Sequence, residues 1–329
     1  MSDTNDDSLR TLGEFGLIDR VTRVLQAPGC TVVGIGDDCA VLQVGDRVLM
    51  ATCDASIEEV HFSRVYATAE DIGWKAAATA LSDIAAMGGR PLFLLTTLAC
   101  PADASADFVE GLYRGMQAAT GQAGGGIVGG DTTRSNQGYL IDVTVIGEPV
   151  GTRYLLRDGA RDGDLLAVTG WPGRSSAGLL ALQLGVDAPE LAAAHLRPVP
   201  RIVEGQWLAA QPGAHALIDV SDGLLQDAGH LAERSKVGVD VSPDLLPMAE
   251  ALTEAAARLG PSAESFILAG GEDYELAVAL DPSTAAKLCQ AFEREFGLPL
   301  TIVGRFSADW SGVRLAGEPI AQGGFEHFR

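Results

Sequence analysis

The stretch from Thr68 to Pro91 constrains this chain more than any other, because it is apolar on almost every side and yet carries a carboxylate. Thr68 followed by Asp71 has the form of a capping box, and Gly88, Gly89 and Pro91 form a stop signal, so the spacing predicts a helix between them. Ile72, Trp74, Ala76 to Ala78, Ala80, Leu81 and Ile84 to Met87 surround its axis. Such a helix is buried on most of its faces. Asp83 falls in the last turn, where the helix dipole already disfavours negative charge. An ionised carboxylate there is costly unless a cation or several donors meet it. Lys75, on the same helix, reaches only part of the way. Taken alone, Asp83 could equally face solvent or accept backbone hydrogen bonds. The other aspartates shift that balance.

The surrounding pattern alternates helix and strand. In the first half the periodicity predicts a helix over Glu14–Gln26, with Phe15, Leu17, Ile18, Val21, Val24 and Leu25 inward. A hairpin follows, Cys39–Val44 and Arg47–Cys53 turning at Gly45-Asp46. Beyond the Asp83 helix come a strand over Leu92–Ala99, a helix over Ala106–Thr120, a short buried strand within Gly124–Asp131 and an alternating strand over Tyr139–Ile146. The second half predicts strands at Leu165–Thr169, Ala216–Val220, Phe266–Ala269, Tyr274–Leu280 and Leu300–Gly304. Helices are expected around Ser175–Leu184, over Ile202–Ala210, from Gly223 to Arg234 and over Ser283–Phe296. The Pro- and Gly-marked segment Glu148–Gly163 reads as a domain boundary. The expected organisation is a loose N-terminus (1–12), an N-terminal domain (13–150) and a C-terminal domain (151–329). Both are α/β, and frequent hairpins make their sheets mixed rather than purely parallel.

A chain of 329 residues can hold two such cores. Its formal charge of −21 argues against a nucleic-acid surface, which demands clustered Lys and Arg. If the substrate carries phosphates, so acidic a chain must recruit metal ions to hold them. The five cysteines show neither a Cys-x-x-Cys pair nor zinc spacing, which suits reduced thiols in a cytoplasm. The polar, acidic start resembles no targeting peptide, and runs such as Leu92–Cys100 are too short to span a bilayer. A soluble, cytoplasmic protein is expected.

Aspartates recur where an apolar segment meets a turn: Asp37-Asp38, Asp54, Asp83 and Asp131, then Asp219 and Asp222 around Ser221, and Glu272-Asp273. Any one of these could be an ordinary turn-former or cap. Several at the same kind of edge suit an oxygen-rich site for hard cations, and magnesium favours carboxylates with water and substrate phosphate. No histidines accompany them at zinc spacing. There is no Gly-x-x-x-x-Gly-Lys-[Ser/Thr] loop, no kinase catalytic loop, no dinucleotide-fold glycine triplet and no Gly-x-Ser-x-Gly elbow.

The segments Gly34-Ile-Gly-Asp-Asp-Cys-Ala-Val-Leu42, Asp54 to Phe62, Leu81-Ser-Asp-Ile-Ala-Ala-Met-Gly88 and Gly129-Gly-Asp-Thr-Thr-Arg134 resemble the thiamine-monophosphate kinase family. So do Asp219-Val-Ser-Asp-Gly-Leu224, Gly270-Gly-Glu-Asp-Tyr-Glu-Leu276 and the closing Gly324-Phe-Glu-His-Phe328. The likeness runs in order from about Gly13 to Phe328. It implies an aminoimidazole ribonucleotide synthetase-like fold whose N-terminal domains pair into a barrel in a homodimer. ATP would lie between the two domains, with its γ-phosphoryl group passing in line to thiamine monophosphate with the help of several magnesium ions.

By the same resemblance Asp38, Thr52, Cys53, Asp54, Asp83, Asp131, Asp219 and Asp222 would hold metal, with Asp83, Asp131 and Asp222 central to catalysis. Tyr113, Gly130, Asp131, Arg157 and Ser221 would contact ATP, while His61, Glu272 and Phe325 would contact thiamine monophosphate. Cys53 departs from the usual hydroxyl residue. Magnesium disfavours sulfur, so Cys53 would serve only through its carbonyl oxygen. Two other readings remain: another ATP-dependent member of the superfamily, of the aminoimidazole ribonucleotide or selenophosphate synthetase type, or a cation-binding module without enzymatic activity.

Overall fold

The computed structural model describes residues 9–320. Two mixed sheets organise it. The first has six strands: β1 (Thr31–Val33), β2 (Ala40–Val44), β3 (Arg47–Ile57), β4 (Gly89–Cys100), β5 (Ile127–Arg134) and β6 (Leu140–Pro149), in the order β1-β2-β3-β6-β4-β5. All its pairs are antiparallel except β4 with β5. The second has seven: β7 (Leu165–Thr169), β8 (Ala214–Val220), β9 (Gly238–Val241), β10 (Glu275–Leu280), β11 (Leu300–Ser307), β12 (Gly312–Leu315) and β13 (Glu318–Ile320), in the order β13-β12-β9-β11-β7-β10-β8.

The apolar helix forms as its sequence predicts. It is α2 (Ala69–Ala86), and Thr68 and Asp71 make the reciprocal capping box. It packs against β3, β4 and β6 of the first sheet, β8 of the second, α3 (Ala106–Ala123), α5 (Pro189–Leu196) and α6 (Ile202–Ala209). Surrounded in this way, α2 has no solvent face to furnish with polar residues, and that is why its sequence lacks one. One hydrophobic core runs through it from the first sheet to one face of the second; a second core fills the other face of that sheet. The crossing with α3 is very close. A β-carbon on Gly73 would lie 1.9 Å from the Leu112 carbonyl oxygen, and one on Gly115 would lie 2.0 Å from that of Glu70. Trp74 is core, its indole donating to the Pro198 carbonyl at 2.7 Å, and Trp207 packs edge-on to Phe292.

Several expectations give way. Helix α1 spans Leu9–Thr22, broken by non-helical Gly13, and ends short of Gln26; Ile18, Val21, Val24 and Leu25 lie exposed. Phe266–Ala269 belongs to a helix, α9 (Ala263–Ala269), where the Ser262 hydroxyl accepts from the Ser265 amide; a short apolar run does not distinguish a strand from a buried helix. β5 is an exposed edge strand, not a buried one: four of its residues are Gly129, Gly130, Thr132 and Thr133, which add little apolar cover. Five further elements have no counterpart among the expectations from sequence: α5, β9, α8 (Glu250–Leu259), β12 and β13.

Candidate active site

Three of the aspartates converge between the domains. Asp38 sits on the turn before β2, Asp83 in the last turn of α2, and Asp219 near the end of β8; one carboxylate oxygen from each lies within 4.8 Å of the others. Asp38 Oδ1 accepts from Arg157 Nε at 3.2 Å and from its terminal nitrogen at 2.6 Å. Its other oxygen, Oδ2, is buried and meets no hydrogen-bond partner. Ser82 Oγ donates to Asp219 Oδ2 at 2.6 Å, and the Thr52 hydroxyl donates to Asp83. These few donors do not offset so much negative charge. Burial, and then the charges of Asp219, Asp54 and Asp38, push Asp83 well above the usual carboxylate range. Asp219 is pushed up to about 7 by burial and Asp38, and Asp54 to about 7 by burial and then Asp142. Asp37 rises to about 6 from burial beside Asp38, although its carboxylate accepts the Arg157 backbone amide at 3.2 Å.

The pleat of β3 sorts the residues next to this cluster. Thr52 and Asp54 are in register with Val145 and Val143, on the face turned toward α2. Cys53 pairs with Thr144 on the opposite face and is exposed. Its thiol is therefore directed away from the cluster, which leaves the carbonyl oxygen as the atom through which Cys53 could serve, as expected of a sulfur that magnesium disfavours. Asp131 also stands apart. It is exposed on the edge strand, with its carboxylate accepting from the Thr132 amide at 2.9 Å. Gly130 lies so close to β4 that a β-carbon would come within 1.9 Å of the Thr96 carbonyl oxygen. Tyr113 lines an open groove of about 670 Å³ with Val109, Arg114, Gln117 and Ile127, none of which belongs to the carboxylate cluster.

The Ser221-Asp222-Gly223 turn is held from below by Asp227, which the sequence reading did not single out. Asp227 Oδ2 accepts all three backbone amides of the turn, each at 3.1 Å. Its position in the first turn of α7 (Leu224–Ser235) was the available signal, since acidic residues there reach back to free amides. Asp222 accepts from Gln226 Nε2 at 2.9 Å and lies within 4.8 Å of Asp227 and His230. The Ser221 carbonyl in turn accepts the Glu272 amide at 2.7 Å, tying this turn to the next motif.

Within that motif Glu272 and Tyr274 adopt left-handed backbone, at φ 64° and 52°, which costs non-glycine residues about 1 kcal/mol each and is concentrated at functional sites. Asp273 between them accepts the Gly173 amide at 2.5 Å and that of Ser175 at 2.9 Å, at the start of α4 (Arg174–Leu184). Glu272 lines a cleft of about 340 Å³ together with His61, Phe62, Tyr66, Leu179 and Gln183. The structure thus brings His61 and Glu272, far apart in sequence, to one wall. His61 Nδ1 accepts the Ile57 amide at 3.1 Å. Glu58 accepts the Tyr139 amide at 3.0 Å and pairs with Arg64, whose guanidinium lies 5.1 Å from the Tyr139 ring centre. Phe325 lies outside the described residues.

Two sheets, a carboxylate cluster between them and a cleft walled by His61 and Glu272 define the class. Family models of the AIR synthase related protein match the chain twice, the N-terminal domain over residues 36–148 and the C-terminal domain over 161–316. The thiamine-monophosphate kinase of Mycobacterium tuberculosis (strain ATCC 25618 / H37Rv) is 40% identical over 275 residues, covering 83% of this chain and 82% of the relative. The solved structure of AaThiL complexed with AMPPCP and TMP superimposes with a TM-score of 0.86 at 33% identity, covering 98% of this chain and 100% of that one. Thiamine-monophosphate kinase from Stenotrophomonas maltophilia K279a gives a TM-score of 0.77 at 39% identity, covering 93% and 98%. The chain belongs to the thiamine-monophosphate kinase family. Among the described residues, no helix is long and apolar enough to cross a membrane.

Proposed function

We propose that this chain phosphorylates thiamine monophosphate with ATP, forming thiamine diphosphate by direct in-line transfer of the γ-phosphoryl group. The observation that carries the reading is the convergence of Asp38, Asp83 and Asp219, with Asp38 Oδ2 buried and unpartnered, together with a cleft walled by His61 and Glu272, the latter adding its charge to Asp54.

That donor set fits magnesium: hard carboxylate oxygens, buried, mutually repelling and short of hydrogen-bond donors. Asp38, Asp83 and Asp219 would hold the ion, Thr52 and Asp54 stand next to them, and Asp131 and Asp222 would add further carboxylates. When bound, magnesium supplies positive charge against the anionic phosphates of both substrates. The chain's own residues then position and orient. Arg157, braced on Asp38, would offer its remaining donors to the ATP phosphates, and Gly130 allows close approach at the β5 edge. Ser221, held by Asp227 through its turn, would fix the nucleotide from the second domain, with Tyr113 a further ATP contact. His61 and Glu272 would orient thiamine monophosphate, with Phe325 as a contact from the tail. No side chain need remove a proton, because the second ionisation of a phosphate monoester falls near pH 6 and the acceptor is already anionic. Catalysis is then alignment plus charge neutralisation.

A cytoplasmic homodimer formed through the N-terminal sheets is part of the same reading, supported by the exposed edge strand β5. The test is an assay with ATP and magnesium across thiamine, thiamine monophosphate and aminoimidazole ribonucleotide precursors. Thiamine diphosphate from the monophosphate alone is expected. Turnover of an aminoimidazole precursor would assign the chain to another activity of the superfamily, and metal binding without any turnover would leave only a binding module. A phosphorylated Asp or His trapped by rapid quench would exclude direct transfer.

A further inference from the structure

We infer that Lys75 is a positioning residue for the acceptor side of this site: its ammonium group fastens the His61 segment of the first domain and Glu272 of the second into one wall. The inference rests on the functional reading above and adds to it a residue that does not itself line the cleft.

Lys75 is an anomaly in α2. It is 5% exposed, on a helix whose buried residues are otherwise apolar or small except at Ser82 and Asp83 near its far end, and its ammonium lies in the interior. Burying such a charge costs several kcal/mol before its partners are counted, so an apolar side chain would serve packing as well or better. The partners show what the charge does instead. Nζ donates to the His61 carbonyl oxygen at 3.0 Å, pairs with Glu272 Oε1 at 2.7 Å and meets His195 Nε2 at 3.3 Å. An ammonium has three hydrogens and no lone pair, so each contact occupies one hydrogen and all three are spoken for.

The third contact sets the histidine tautomer. Facing a group that only donates, His195 Nε2 must accept, which places the ring proton on Nδ1. Nδ1 lies 3.2 Å from Ser175 Oγ at the start of α4, and 3.6 Å from Glu272 Oε2. The ammonium therefore joins four pieces of chain: the loop between β3 and α2, helix α5, the first turn of α4 through His195, and the turn before β10. Two of them carry non-glycine residues in left-handed backbone, Glu59 at φ 63° and Glu272 at φ 64°, and such conformations persist only where their surroundings impose them. Lys75 touches both segments.

The experiment is steady-state kinetics of Lys75→Met and Glu272→Gln, singly and combined, in the full-length magnesium-loaded enzyme. The KM for thiamine monophosphate is expected to rise at least tenfold in Lys75→Met while the KM for ATP stays within twofold. The double variant should be no worse than the poorer single, because both changes remove one interaction. Lys75→Gln, which keeps a donor at this position, is used if the Met variant does not fold, with the same split expected at smaller size. A parallel rise in both KM values, an unmoved acceptor KM, or additive effects of the two substitutions would overturn the role. Absence of thiamine monophosphate turnover by the wild type would instead overturn the functional reading, and the Lys75 role with it.

Discussion

Ser82 and Asp219 are joined by a 2.6 Å hydrogen bond that crosses from the first domain to the second, fully buried on both sides. Ser82 immediately precedes Asp83, so the bond that docks α2 against β8 also sets the spacing of two of the three clustered carboxylates. Interdomain packing and site geometry are the same contact here.

Asp83→Asn should separate catalysis from stability. Removing one charge from the cluster is expected to lower kcat by at least ~100-fold, the size of effect seen when one group that stabilises transition-state charge is lost. The same change relieves repulsion among Asp83, Asp219, Asp54 and Asp38, so with magnesium chelated the variant should melt above the wild type. Added magnesium should then stabilise it less than it stabilises the wild type. Near-normal turnover at saturating magnesium would refute the central role of Asp83.

Arg157→Ala removes the guanidinium that meets Asp38 through two nitrogens. The KM for ATP is expected to rise about tenfold, equivalent to ~1.4 kcal/mol, with the KM for thiamine monophosphate little changed. Arg157→Lys keeps the charge without the planar fork and should recover only part of the loss. Initial-rate measurements varying each substrate in turn decide the matter.

Gly73→Ala tests the seat of α2. The added carbon would meet the Leu112 carbonyl at 1.9 Å, so the helices must part, and overpacking of this kind costs about 1–3 kcal/mol. Chemical denaturation should show that loss. Because α2 carries both Lys75 and Asp83, activity per folded molecule should fall as well. Unchanged stability would mean that the crossing with α3 is looser than it stands here.

His195→Gln isolates one pH-dependent contribution. Burial, and then Lys75, lowers the imidazole to about 3, against 6.5 for the free side chain. The unfolded chain therefore takes up the proton first as pH falls, so this contribution to stability is intact above pH 6.5 and is lost progressively toward pH 3. Its slope is about 1.4 kcal/mol per pH unit within that window. Wild type minus variant unfolding free energy, measured at several values between those limits, should fall with acidification; His230, also depressed, remains in both proteins and cancels. A flat difference would show that His195 is not held neutral.

Much of this molecule is legible in its residues taken in order. The capping box, the apolar girth of α2 and the glycine stop define that helix without reference to any neighbour. The hairpin at Gly45-Asp46, the aspartates at segment ends and the ordered motifs of the family are equally local. The misreadings are instructive: four apolar residues at Phe266–Ala269 fit a strand or a buried helix, and only the Ser262 cap distinguishes them. β5 looked buried because glycine says nothing about what lies over it.

Other facts depend on which segments meet when the chain folds. Local pattern shows that β3 alternates, but the pairing with β6 and the docking of α2 settle that Thr52 and Asp54 face the cluster while Cys53 does not. The pattern marks Lys75 as an oddity on an apolar helix, but not that its ammonium turns to Glu272 instead of toward Asp83. Nor does it reveal that Asp142 adds its charge to Asp54. Periodicity along a chain records which side of each element avoids water. Which charges end up a few ångströms apart is settled when those sides are packed together.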